Sequence, residues 1–582
     1  MLSRRTKIVC TLGPATDNPE ILEAVMKAGM NVARFNFSHG SHEEHKKRMD
    51  MVKQLREKLN LPVAMLIDTK GPEIRLGKIK EGCSLTNGDY FILTGEVILG
   101  DEKRASISYK DFYKDLRVGN SILIDDGLIH LRVEGIDEIG DIHTQVIVGG
   151  ELKNNKGINA PGIRVNLPAF TPQDEADIIF GLRQGVDFIA PSFVCNKENV
   201  LDIRRILEDE NASHVQIISK IENRQGYDHL EEILKVSDGI MVARGDLGVE
   251  MPIEEVPIAQ KVMIKMCNAM GKPVITATQM LDSMIRNPSP TRAEATDVAN
   301  AIFDGTDAIM LSGETAAGHY PVEAVRVMDA IARKTEEALP SYAMERDYEK
   351  YHDSVTYAVS KATVEAAHNL DTEAILTVTM SGFTAKKLAM HRPHCPIIAL
   401  TPRVEIMRTL SLSWGVYPLY LQELFSTDEM FREMAGVSQD AGYVEEGDMV
   451  IITTGLPLGI AGATNLMKIH VVGEVMQKGI GIGEGTIKGR IRFAQNLHLE
   501  PLQEGDILYL EEVVPQDLAL VKQVSGLITA EGGYTSLGAR WARELGIPAV
   551  LGVRLLRSRI HDGLEISLDP KLGIIYNAAD VL

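Results

Sequence analysis

A chain of 582 residues is far too long for one hydrophobic core, and at about 150 residues per domain it predicts roughly four domains. Its 45% hydrophobic and 24% charged content is ordinary for a soluble globular protein, and a formal net charge of -20 argues against a polyanionic partner such as nucleic acid. Five scattered cysteines without a CxxC pair fit a reducing, cytoplasmic setting without structural zinc, and the opening MLSRRTKIVCTLGPAT fits neither a signal peptide nor a membrane-spanning helix.

Eight short apolar runs stop at polar residues and alternate with helical patterns. They are KIVCT near 7, NVARFNFS from 31, VAMLIDT from 63, VDFIAPSF from 186, VQIISKIE from 215, GIMVARGD from 239, PVITATQ from 273 and AIMLSGET from 308. Strands alternating with helices imply parallel βαβ units, and eight such units close into a (β/α)8 TIM barrel, an α/β fold whose active-site face lies at the strand C-terminal ends. Between the third and fourth runs lie about a hundred residues rich in Gly, Asn and Asp turns, with short strands such as DGLIHLRVEGID, which predicts a β-rich domain inserted in a barrel loop. A charged helical linker, KTEEALPSYAMERDYEKYH, then leads to an open α/β layer domain with AILTVTMSG, PIIALTP and DMVIITTG as strands. A fourth unit carries the Gly-rich stretches GIGIGEGTIKG and EGGYTSLGARWARELGIPAV. The expected boundaries are 1–70 with 171–345 for the barrel, 71–170 for the insertion, 346–474 for the α/β domain and 475–582 for the last unit.

Chemistry concentrates where the barrel strands end. Side chains alternate along a strand, so Ile218, Lys220 and Glu222 share one face of QIISKIE while Ile217, Ser219 and Ile221 share the other. Glu222 and Asp246 are expected at adjacent strand ends, where two carboxylates can supply the few protein oxygens that magnesium accepts. Arg34 shares a face with Asn36 and Ser38, and Arg34 with Lys220 would meet a transferring phosphoryl group or a developing enolate. A lone strand-end Lys is ordinarily the partner of a carboxylate, but a structural pair does not require the second cation. Asn36, Ser38, Asp68 and Thr69 are hard oxygen donors suited to a weakly hydrated cation or to plain hydrogen bonding. Gly245 in ARGDLG allows close backbone approach to a carboxylate. Thr276 and Thr278 share a face by alternation, and a hydroxyl there could relay a proton. Ser381, Gly382, Phe383 and Thr384 form a strand-to-helix turn, read from composition as an ordinary N-cap.

These stretches, together with TKIVCTLGPAT, DTKGPEIR, TATQML, PTRAEATDVANA and IMLSGETAAGHYP in this order, resemble the pyruvate kinase family over residues 4 to 474. The resemblance implies phosphoryl transfer from phosphoenolpyruvate to ADP, giving ATP and, after protonation of the enolate, pyruvate. It implies Glu222 and Asp246 as ligands of magnesium or manganese, and Asn36, Ser38, Asp68 and Thr69 as a potassium site, with Glu73 in the form that needs that ion. Arg34 then resembles the phosphate-binding arginine and Lys220 the residue that stabilises the transition state. Gly245, Asp246 and Thr278 match the substrate region, with Thr278 near the proton path, while Asn36, His39, Arg75 and Lys156 match nucleotide contacts. Ser381 to Thr384 match the loop that takes a sugar-phosphate or nucleotide effector, and the family implies a homotetramer; no membrane or nucleic-acid partner is expected from the charge and hydropathy of the sequence.

Residues 475 to 582 resemble the phosphohistidine swivelling domain of phosphoenolpyruvate-utilising enzymes, an extension found in bacillus-like pyruvate kinases. Where such carriers place histidine, GGYTSLGAR has Leu537, which has no nucleophilic atom. A phosphoenolpyruvate synthase-like phosphotransferase is the competing enzyme reading, and a catalytically silent effector-binding protein the competing non-enzyme one. Ala169, where a Gly is usual, bears on the hinge of the insertion, because Gly permits backbone angles that Ala does not.

Overall fold

The computed structural model describes residues 4–125, 127–163, 165, 168, 170–339, 354–423, 427–455, 464–473, 475–498, 500–555 and 560–577. Its contacts divide the chain into two units: Met1–Val364 with Thr379–Tyr420 and Gly459–Thr464, and Glu365–Val378 with Leu421–Leu458 and Asn465–Leu582.

The first unit holds a closed barrel of eight parallel strands, β1 (Lys7–Thr11), β2 (Val32–Asn36), β3 (Ala64–Asp68), β4 (Phe188–Ala190), β5 (Gln216–Ile221), β6 (Gly239–Ala243), β7 (Val274–Ala277) and β8 (Ala308–Leu311), each beside its neighbour in this order. The helices between them begin where their sequence allows. Ser41 and Glu44 form a capping box on helix His42–Leu59, Thr171 and Asp174 cap Pro172–Arg183, and Thr291 and Glu294 cap Arg292–Asp304. Val32, Leu66, Phe188, Ile218, Met241, Ile275 and Met310 fill the barrel interior, while Phe35, Ile67, Ile217, Ile221 and Val242 pack outward under the helices. The two-residue period read in QIISKIE is therefore realised, with Ile218 and Lys220 pointing inward.

Between β3 and β4 the chain builds a seven-stranded sheet in the order Ile74–Arg75, Gly157–Asn159, Ser121–Ile124, Ile129–Ile136, Ile142–Val148, Tyr90–Thr94 and Arg104–Ser106. It encloses its own core around Phe91, Phe112, Ile122 and Leu131. The insertion leaves the barrel pairing intact, because Asp68 of β3 is in register with Ala190 of β4. Of the expected linker, Lys334–Ala338 closes the helix Pro321–Ala338; residues 340–352 lie outside the described residues, as does Ala169.

Beyond the barrel, the strands Ile397–Thr401 and Val416–Tyr420 pair in parallel in the first unit, and Ala374–Val378 pairs in parallel with Met449–Gly455 in the second. The second unit also holds an eight-stranded sheet between Val475 and Asn577 with an apolar cluster around Leu508, Leu527, Trp541 and Leu551 and another around Phe493, Tyr509, Ile528 and Ile575. Its fully buried Arg492 lies 3.3 Å from the Asp562 carboxylate and 3.6 Å from those of Glu500 and Asp506, so the guanidinium is offset by three anions.

Lys7 opens β1 with only 3% of its surface exposed; its Nζ donates to the Val416 carbonyl at 2.6 Å and lies 4.5 Å from the centre of the Tyr417 ring. Burial, reinforced by Arg4, lowers this ammonium to about 7. The folded state then binds fewer protons than the unfolded chain between about pH 7 and the ordinary lysine range near 10.5, so this group's contribution to stability rises with pH across that window. Measured as the difference in Tm between the parent and Lys7→Met, the parent should gain on the variant from pH 7 to 10; a gain in the opposite direction contradicts the assignment.

Candidate active site

The C-terminal ends of β2, β3 and β5 bring a cation, an anion and a second cation into one buried row. Asp68, 1% exposed, accepts from Arg34 Nε at 2.8 Å through Oδ2 and from Lys220 Nζ at 2.9 Å through Oδ1. Arg34 also donates to Thr11 Oγ1 at 2.7 Å. Lys220 donates to Ser192 Oγ at 2.7 Å and pairs with Glu222 Oε1 at 2.8 Å, while the other Glu222 oxygen accepts from the Phe193 amide at 2.6 Å. Burial alone would raise Asp68, but the Arg34 and Lys220 charges hold its carboxyl below the usual range. Burial works to lower Lys220, and the Asp68 and Glu222 carboxylates outweigh it, so the ammonium stays charged. Glu222 moves the other way: burial comes first, and with Asp246 adding repulsion against the pull of Lys220 it is pushed up to about 7.

Asp246 is not at a strand end. β6 stops at Ala243, and Asp246 is the third residue of the helix Arg244–Glu250, where a carboxylate meets the positive end of the peptide dipoles. Gly245 stands just before it in that first turn, and its amide donates to Thr278 Oγ1 at 2.8 Å. The expected common face of Thr276 and Thr278 is also corrected. Thr276 lies between the inward-facing Ile275 and Ala277 and bonds Thr306 Oγ1 at 2.9 Å, whereas Thr278 lies past the end of β7 with φ of +68°, which breaks the alternation.

Asn36 and Asp68 are in register on β2 and β3; Asn36 Oδ1 accepts from the Ser38 amide at 3.1 Å. Thr69 is stitched to the far side of the insertion, its carbonyl accepting from Ser192 Oγ at 2.7 Å and its hydroxyl from the Ser192 amide at 3.3 Å. Ser192 was not singled out by sequence, although alternation from Ala190 places it on the interior face. His39 is exposed, with its carbonyl held by the buried His45 ring at 2.8 Å. Arg75 lies on an edge strand of the inserted sheet and Lys156 just before the strand paired with it, Arg75 bound to Glu73 and donating to the Asn155 carbonyl at 2.8 Å, Lys156 2.8 Å from Asp125. A cleft of about 370 Å³ is walled by Ile74 and Asn159 of the insertion and by Phe193, Asn199, Asn223 and Glu250 of the barrel, and reaches the row through Phe193, whose amide binds Glu222.

Among the described residues no three His, Cys, Asp or Glu side chains gather as a metal site. The Ser381–Thr384 turn is not the hydroxyl N-cap that composition suggested. Gly382, at φ of +80°, takes that position for helix Phe383–Ala389 without any side-chain cap, and Thr384 is buried, 2.6 Å from Thr464 Oγ1. Leu537 begins helix Leu537–Leu545 behind the N-cap Ser536 and packs on the apolar cluster beneath it.

Residues 3–325 match the family described as "Pyruvate kinase, barrel domain" and residues 357–470 "Pyruvate kinase, alpha/beta domain". The chain belongs to the pyruvate kinase family. Residues 502–573 match "PEP-utilising enzyme, mobile domain". The chain is 51% identical over 581 residues to a pyruvate kinase of Sporosarcina psychrophila, 47% over 580 to one of Geobacillus stearothermophilus and 48% over 578 to one of Bacillus licheniformis, covering 98–99% of this chain and 99% of each relative. It is an enzyme with pyruvate kinase activity, a phosphotransferase, with an α/β architecture of barrel, α/β domain and terminal mobile-type domain. No helix among the described residues is long and apolar enough to cross a membrane.

Removing the central anion should be costly. Asp68→Asn leaves Arg34 and Lys220 buried and facing each other, and breaking a buried ion pair costs about 3 kcal/mol. Thermal unfolding should show a clear fall in Tm together with at least a hundredfold loss of kcat; an unchanged Tm would mean that the carboxylate does not organise the row.

Proposed function

We propose that this row transfers the phosphoryl group of phosphoenolpyruvate to ADP and leaves pyruvate, the last step of glycolysis. The single observation that carries the reading is the buried Arg34–Asp68–Lys220–Glu222 row at the C-terminal end of the barrel. A loose phosphoryl-transfer transition state needs charge and position rather than a covalent nucleophile. Arg34 orients the phosphoryl oxygens, and Lys220 stabilises charge on the transferring group and on the enolate oxygen left when the phosphorus–oxygen bond opens. Thr278, with Gly245 and Asp246, positions the substrate carboxylate and the proton path to the enolate carbon.

Glu222 and Asp246 suit magnesium or manganese, since they are carboxylates close enough for Asp246 to repel negative charge on the buried Glu222, and hard carboxylate oxygens are what such a cation accepts. When bound, the metal neutralises charge on phosphoryl oxygens. Asn36, Ser38, Asp68 and Thr69 offer the hard oxygens that suit potassium. Asn36, His39, Arg75 and Lys156 contact the nucleotide, and the inserted lid excludes water from the transferring group. Ser381, Gly382, Phe383 and Thr384 form the effector site for a sugar phosphate or nucleotide; the uncapped turn at Gly382 supports that reading. The enzyme is a cytoplasmic homotetramer in this reading. Leu537 argues against phosphate carriage by the last domain, which we read as an assembly or stability module, and so against a phosphoenolpyruvate synthase-like activity.

The test is a coupled assay of pyruvate formation, run with and without potassium across a panel of sugar phosphates and nucleotides. Activity should require the divalent ion and rise with potassium, and Lys220→Met should lower kcat by about a thousandfold while phosphoenolpyruvate still binds. Near-normal turnover in that variant would sink the assignment. Incubation with labelled phosphoenolpyruvate should leave no acid-labile phosphate on the protein.

A further inference from the structure

Thr278 and Gln279 are consecutive left-handed residues, with φ of +68° and +54°. Neither is glycine, and for a β-branched threonine that conformation is a genuine outlier that persists only where the surroundings impose it. The consequence is chemical. Simple alternation beyond Ala277, which faces the barrel interior, would point residue 278 outward beneath the helices. The left-handed pair instead sets the Thr278 hydroxyl against the Gly245 amide at 2.8 Å, with its own proton directed to the Ala277 carbonyl at 2.6 Å.

One side chain grips this turn. Arg244 Nε donates to the Ala277 carbonyl at 3.2 Å, Nη2 to the Thr278 carbonyl at 2.6 Å, and Nη1 to Asp297 Oδ1 at 2.8 Å. The guanidinium is mostly buried, its side chain 14% exposed. Because Arg244 precedes Gly245 and Asp246 in the same helical turn, one short segment both supplies two residues of the site and holds the third in place. We infer that Arg244, aimed by Asp297, is a positioning residue for the reaction: it clamps the two carbonyls around Thr278 and keeps the hydroxyl turned toward Gly245 and the substrate. It acts through Thr278 rather than on the substrate, since all three of its nitrogens already donate within the protein. The inference rests on the role proposed above for Thr278. Lysine cannot replace the clamp, because a single ammonium on a flexible stem lacks the planar fork that reaches two carbonyls and a carboxylate at once.

The experiment compares Arg244→Lys, Asp297→Asn and Thr278→Val with the parent, in the full chain. Two rates are read: phosphoryl transfer from phosphoenolpyruvate to ADP, and exchange of the C3 hydrogens of pyruvate with deuterium oxide. In the exchange a C–H bond opens to the enolate and a solvent deuteron closes it. Their ratio does not depend on how much enzyme is folded. Arg244→Lys should lower kcat at least tenfold, leave KM for ADP within twofold, and shift the exchange-to-transfer ratio in the same direction as Thr278→Val, with Asp297→Asn shifting it less. If Thr278→Val shifts the ratio but Arg244→Lys and Asp297→Asn keep the parent value, whatever their total activity, the clamp is merely structural and the inference is overturned. If Thr278→Val itself keeps the parent ratio, the role of Thr278 fails and the clamp falls with it.

Discussion

The Asp68 carboxylate, held between Arg34 and Lys220, is the constraint on which the catalytic face depends. Two cations brought together in a dry barrel mouth repel each other. A buried anion with one oxygen for each removes that cost and fixes their separation before any substrate arrives. The same carboxylate keeps Lys220 charged despite its burial, which is the protonation state a phosphoryl or enolate oxygen requires. In the reading proposed above, this ion pair is preorganisation for the transferring group. The barrel supplies the rigidity, because each member of the row lies at or near the end of a strand packed on both faces.

Those parts of the site that follow from strand periodicity were legible. Eight apolar runs with polar ends predict eight parallel strands, and a period of two gives Lys220 and Glu222 a common face on one strand and Arg34 and Asn36 a common face on another. The substrate was not legible from periodicity; it came from the family resemblance. Other features stayed hidden for physical reasons. No local pattern announces that two non-glycine residues will turn left-handed after β7, so Thr278 was placed by an alternation that its backbone does not follow. Asp246 was read as ending a strand, because an apolar run followed by RGD gives no sign that the helix begins at once. Ser192 was passed over since its partners, Thr69 and Lys220, are remote in sequence, and a lone serine after a strand carries no signal of its own.

The terminal domain shows the opposite case, in which sequence was more informative than shape. It matches a mobile domain of phosphoenolpyruvate-utilising enzymes, and its helix Leu537–Leu545 begins behind an N-cap serine. In the reading proposed above, the leucine that starts the helix offers no nucleophilic atom to carry a phosphoryl group.

The stitch between Thr69 and Ser192 has a consequence for how the molecule is assembled. It joins the two points where the chain leaves and re-enters the barrel, just beyond the in-register pair Asp68 and Ala190. The inserted domain thus hangs from adjacent points on a ring already closed without it. Loop-closure entropy grows only with the logarithm of length, so bridging β3 to β4 through about a hundred residues rather than about twenty costs the barrel roughly 1.5 kcal/mol. The insertion buries its own apolar cluster around Phe91 and Phe112, distinct from the clusters of the barrel, so its length adds little strain to the ring.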